Sequence, residues 1–148
     1  LLILHWDNNF QEHILEGGIL CFPALWTLNE KINKPLSRIH KPVEQYNEKI
    51  TKSVQRMFNN LKVDKPIWRA NWYLYKDPEL FSPLSEKFSH TTEKKYFEGD
   101  FWLRVERQTL KRLPETNAIV FGIHTYVVNK KQLTLKQITS LKNYSLNK

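Results

Sequence analysis

The sequence predicts an α+β domain built on an antiparallel sheet. Three observations carry that reading: short apolar runs cut by turn residues near the start, one amphipathic helical stretch in the middle, and three longer alternating strands afterwards. At 148 residues and 17.8 kDa the chain fits a single domain, 1–148, long enough to bury a core.

The elements follow in order. Leu1–Trp6 is apolar, and Asp7-Asn8-Asn9 is a turn signal. Residues 10–16, FQEHILE, run into Gly17-Gly18, a pair suited to a two-residue hairpin turn before ILCF and Pro23. This predicts two or three strands of a meander. Between Leu25 and Lys41 the pattern is mixed, with LNEKIN fitting one helical turn. Over 43–61, Val43, Tyr46, Ile50, Val54, Phe58 and Leu61 recur at three- and four-residue spacing, behind Pro42. That predicts an amphipathic helix of about five turns. IWRANWYLY at 67–75 reads as a strand. Residues 76–100 read as an irregular lobe or a short helix around Leu84–Phe88. FWLRVERQTL, the turn LPETN and AIVFGIHTYVV form a second and third strand, and Leu133–Leu141 fits a closing helix. The expected architecture is a four- to six-stranded antiparallel sheet with the 43–61 helix beside it.

Composition narrows the function classes. A net charge of +8 and a pI near 9.6 permit nucleic acid, anionic lipid or an acidic protein as partners. The lysines are scattered, however, and no aromatic-basic RNA-binding signature occurs, which favours a solvated basic surface over nucleic-acid binding. One cysteine, Cys21, excludes an internal disulfide framework and a cysteine-rich metal site, and fits an intracellular, reducing compartment (cytosol or mitochondrion) rather than secretion. No apolar run approaches the roughly 18 residues of a membrane span. The start, LLILHW, has neither Met nor a signal-peptide pattern, so the chain reads as part of a longer protein. Glycine-rich nucleotide loops and the nucleophile-elbow motif are absent. Aromatics at 13%, with five Trp, fit a core or a lined pocket.

Alternation sorts each long strand into faces. In 67–75, Arg69 and Asn71 share a face with Ile67, Tyr73 and Tyr75; in 101–108, Arg104, Glu106 and Gln108 share one with Trp102. In 118–128, Gly122, His124 and Tyr126 lie on one face. If the strands are neighbours, Arg69, Asn71, Glu106, His124 and Tyr126 could share one side, with Gly122 admitting a close approach. A solvated face, common in antiparallel sheets, or a buried Arg–Glu pair without chemistry gives the same alternation. Of five histidines, His40 in RIHKPV stands before the helix and a fixed proline. Such a residue is usually a cap or surface group, and imidazole is also a common axial ligand of haem iron. No second ligand lies at zinc spacing.

Three segments in order, GGILCFPALWTLNEKINKPLSRIHKPV, PIWRANWYL and FWLRVERQTLKRLPETNAIVFGIHTY, resemble the haem-dependent oxidative N-demethylase family, which includes the dimethylamine monooxygenase haem subunit. The resemblance runs from about Leu1 to Tyr126. It implies a PAS-like antiparallel sheet with flanking helices, holding a non-covalent haem b. It implies a monooxygenase that oxidises a methyl group of a small secondary amine with O₂ and releases formaldehyde. Electrons would come from NADPH through flavin and iron–sulfur partner chains. By position, His40 would be the metal ligand, with Arg69 and Tyr126 also cofactor-binding, and Arg69, Glu106 and His124 would be catalytic. His124 stands where the last family motif usually has Arg, replacing a permanent cation by a titratable group. The resemblance further implies a shortened or partial family member. A non-catalytic structural subunit and a haem-based sensor are the alternatives it leaves open.

Overall fold

The computed structural model describes residues 1–42, 47–86 and 99–146. Five strands, β1 (Leu2–Asp7), β2 (Glu12–Gly18), β3 (Ile67–Tyr75), β4 (Trp102–Arg112) and β5 (Ile119–Asn129), form one antiparallel sheet in the order β2-β1-β5-β4-β3. The helices are α1 (Leu36–Ile39), α2 (Glu48–Asn59) and α3 (Leu135–Leu146). The architecture is α+β, as the sequence predicts.

The first hairpin turns at 8–11 rather than at Gly17-Gly18. The Asp7 carboxylate accepts the backbone N–H of Asn9 (2.7 Å) and of Phe10 (3.0 Å), and Gln11 takes a positive φ of 53°. The glycines end β2 instead, paired with Ile3 and Leu2. At Gly18 a Cβ would come within 2.6 Å of the Leu2 side chain and 2.8 Å of the Leu1 carbonyl, so close strand approach explains this residue.

In α2, Asn47 caps the N-terminus by accepting the Ile50 N–H at 3.1 Å, with Glu48 favourable in the first turn. The expected helix at 43–61 is observed over 48–59, its first residues lying outside the described ones. Its apolar stripe turns Phe58 and Val54 towards the sheet. LNEKIN does make one helical turn, with the Ile32 N–H bonded to Leu28 O at 2.9 Å. Of the short helix expected around Leu84–Phe88, residues 84 and 85 are not helical and 87–88 lie outside the described residues.

The register sets the two faces. Even-numbered β4 residues lie opposite odd-numbered β3 residues (Asn71↔Glu106) and opposite odd-numbered β5 residues (Glu106↔Thr125). The inner face carries Leu110 and Ile119 beside Leu2, Leu4 and Leu15, closed by Leu36 of α1, Phe58 of α2 and Leu61. Arg112 ties α2 to this face: its guanidinium donates to Leu61 O (2.7 Å), Phe58 O (2.6 Å) and Asn117 O (2.9 Å), satisfying carbonyls that the helix end leaves open. On the outer face α3 packs over the β3–β4 end, with Tyr144 and Trp72 ring centroids 5.7 Å apart.

Candidate functional site

Beside the apolar core, the inner face becomes polar along β4. Arg104 and Glu106 are buried, at 1% and 7% exposure. Neither can sit there unpaired, because burying an isolated charge is costly. Glu106 Oε1 lies 3.5 Å from Arg104 Nε, and Gln108 Nε2 donates to Glu106 Oε2 at 3.2 Å. One strand outward, Arg69 Nε donates to Gln108 Oε1 at 2.9 Å. A continuous polar column thus runs from exposed Arg69 to fully buried Arg104. Asn71, Tyr73 and Tyr75 line the same face of β3. The Tyr75 phenol is pushed up to about 12, chiefly by burial, so it stays protonated.

Two irregular segments roof the buried end. Arg104 Nη2 donates to Phe22 O (2.8 Å) and Nη1 to Leu80 O (3.0 Å). The segments also bind each other, Leu25 N to Ser82 O (2.8 Å) and Ser82 N to Pro23 O (3.0 Å). Arg104 thus fastens loop backbone to the sheet.

His40 caps the C-terminus of α1 on this same side. Its Nδ1–H donates to Leu36 O at 2.9 Å, which makes Nε2 the basic nitrogen of the neutral ring. Burial lowers its pKa most, and the charges of Lys31 and Arg69 lower it further. Lys31 in turn donates to Ile39 O (2.9 Å) and pairs with Glu86 (3.3 Å), onto which Arg38 also forks. Among the described residues no group of three His, Cys, Asp or Glu could hold a bare metal ion. Two groups on this face have chemistry that would suit a haem: His40, a neutral imidazole oriented by a carbonyl, and Arg69, an exposed cation suited to a carboxylate.

His124 and Tyr126 are placed elsewhere. β5 pairs His124 with Arg107 and Tyr126 with Val105, so both lie on the outer face, opposite the Arg69–Glu106 column. The expectation that all five residues share one side is therefore corrected. Its physical reason is the even-to-odd pairing of β4 with β5, which strand-by-strand alternation leaves undetermined. Arg104, Gln108 and Arg112 act in ways the sequence reading did not assign. The signal for Arg104 was present, as a cation flanked by Leu103 and Val105.

His13 is a further buried titratable group, at 2% exposure between the Trp6 and Phe58 rings. Burial lowers its pKa first, Arg112 and His5 add to that, and the Gln55 contact opposes it. His13 and His40 both have folded-state values below the ordinary 6.5. Below that value the unfolded chain binds more protons than the folded one, so stability is whole above pH 6.5 and falls as pH drops. We expect the urea midpoint to decline from about pH 6.5 downwards, before the depressed carboxylates Glu30 and Glu86 protonate below about 4.5. A midpoint constant from pH 7 to pH 5 would contradict this.

The model of the family described as haem-dependent oxidative N-demethylase, alpha subunit-like, matches residues 1–143, and the chain belongs to that family. The description is one of chains akin to a subunit, which implies a multi-subunit assembly. No described helix is long and apolar enough to cross a membrane.

Proposed function

We propose that this family member is a haem-b subunit that oxidatively demethylates a small secondary amine. The observation that carries the reading is His40, held neutral and aimed by Leu36 O on the same face as the Arg69–Glu106 column. The open five-stranded antiparallel sheet with flanking helices supports the PAS-like arrangement.

The reaction balances as one methylamine group, O₂, two electrons and two protons giving the demethylated amine, formaldehyde and water. Bound non-covalently, the haem supplies the iron that activates dioxygen. The chain supplies the rest. His40 Nε2 is the metal ligand, and its Nδ1–H bond fixes the tautomer. Arg69 lies at the exposed end of the column, where its guanidinium compensates negative charge on a haem carboxylate or on the oxidant. Glu106 offers a carboxylate to a substrate ammonium. Flavin and iron–sulfur partner chains deliver the electrons.

A second reading has an observation of its own. Arg104 spends two donors on backbone carbonyls, a role that needs no cofactor, so a non-catalytic subunit would keep the same network. Expression with haem supplied and a visible absorption spectrum separate the two. Near-equimolar haem in the wild type, with the Soret band lost or shifted in His40→Ala, supports the catalytic reading. A folded protein without haem supports the structural one, and an unchanged His40→Ala spectrum places the ligand elsewhere. Haem bound without reductant-dependent formaldehyde release would instead fit a sensor.

A further inference from the structure

The outer face of the sheet, away from the haem column, has a second polar depression. Its floor is Gly122 of β5 beside Thr109 of β4, a Cα pair in the register. A Cβ on Gly122 would lie 2.7 Å from Thr109 Oγ1, so glycine keeps this floor low. In the next row stand Arg107 and His124, directly paired, followed by Tyr126. Trp68 of β3 pairs with Thr109 on the same face and is 64% exposed. The opening, lined by Arg107, Thr109, Gly122, Ile123, His124 and Tyr126, measures about 400 Å³.

The donors here point at nothing anionic. Among the described residues Arg107 makes no ion pair; its guanidinium lies over the Trp68 ring, 5.2 Å from the centroid. His124 lies tilted against Tyr126, ring centroids 4.5 Å apart and planes 53° apart. Lys111, one row beyond Thr109 on the same face of β4, adds a cation, and among the described residues no carboxylate lines the depression. An exposed guanidinium over an indole ring and an imidazole tilted against a phenol ring, around a glycine floor, match a ligand that is both anionic and planar. The volume falls within the range of small-molecule sites and far exceeds one oxyanion.

We propose that this depression binds a small organic phosphate of mononucleotide size, its phosphate on Arg107, His124 and the Thr109 hydroxyl, its ring against Trp68 or Tyr126. The inference is independent of haem and needs no turnover to test. Isothermal titration with AMP, adenosine, inorganic phosphate and a short single-stranded RNA provides the readout. AMP should bind at one site, with adenosine and phosphate each at least tenfold weaker. Arg107→Gln, an exposed substitution checked for folding by circular dichroism, should weaken AMP tenfold or more through loss of charge-assisted hydrogen bonds. Groups facing the phosphate are Arg107 and Lys111 from β4 with His124 and Tyr126 from β5. No saturable AMP binding, or equal binding by folded Arg107→Gln, overturns the proposal. RNA binding far tighter than AMP also overturns it, in favour of a nucleic-acid surface.

Discussion

Replacing Glu106 by Ala should cost about 3–5 kcal/mol of folding stability, because it strands a buried cation. Arg104 is 1% exposed and cannot shed its proton in a protein. Its neighbours with full charge are few: Glu106 Oε1 at 3.5 Å is the carboxylate beside it, and the Tyr75 ring, 5.8 Å from Cζ, stays neutral. The two loop carbonyls of Phe22 and Leu80 solvate the guanidinium but carry no net charge. Chemical denaturation would show the loss as a lower midpoint, and a thermal scan as a Tm drop of about 10 °C. The same logic makes the double variant informative. Arg104→Met with Glu106→Ala removes both charges, and should recover a large part of the single-variant loss. Recovery would be incomplete, since Phe22 O and Leu80 O lose their donor. A Glu106→Ala cost below about 1 kcal/mol would mean that water or another group already screens Arg104.

That network also shows what sequence can and cannot convey. Strands 67–75, 102–112 and 119–129 were legible because alternation with period two survives in each of them. The helix was legible from Ile50, Val54 and Phe58, which repeat on one side. The relation between strands was not. Gln108 pairs with Ile123, an even position with an odd one, and a slip by a single residue would have brought His124 to the inner face. Turn chemistry was ambiguous for a similar reason: Asp7-Asn8-Asn9 and Gly17-Gly18 both suit hairpins, and side-chain capping by Asp7 decided between them. For Arg104, the acceptors lie 24 and 82 residues away in segments without regular structure, where no periodic signal exists.

The sharpest division between chemistry and folding should come from Arg69. It is exposed on β3, the edge strand, and its described hydrogen bond is the one to Gln108 at 2.9 Å. Losing one surface hydrogen bond costs little, so Arg69→Ala should fold within about 1 kcal/mol of wild type. Its charge, by contrast, is the outermost cation of the column and reaches His40, whose pKa it helps to lower. In the proposed reaction that cation works where negative charge develops, and removing one such donor from an active site costs about 100-fold or more in rate. The expected result is a stable, haem-loaded Arg69→Ala protein whose reductant-dependent formaldehyde release falls by at least that factor. Glu106→Ala cannot give so clean a result, since its folding penalty and its chemical role are mixed. Arg69→Lys refines the test: a point charge keeps the sign but not the planar fork, so partial recovery assigns the role to charge and none assigns it to bidentate geometry. Wild-type rates in haem-loaded Arg69→Ala would remove Arg69 from the site. The column would then be an anchor for the Phe22 and Leu80 loops, with the chemistry, if any, on another face of the haem.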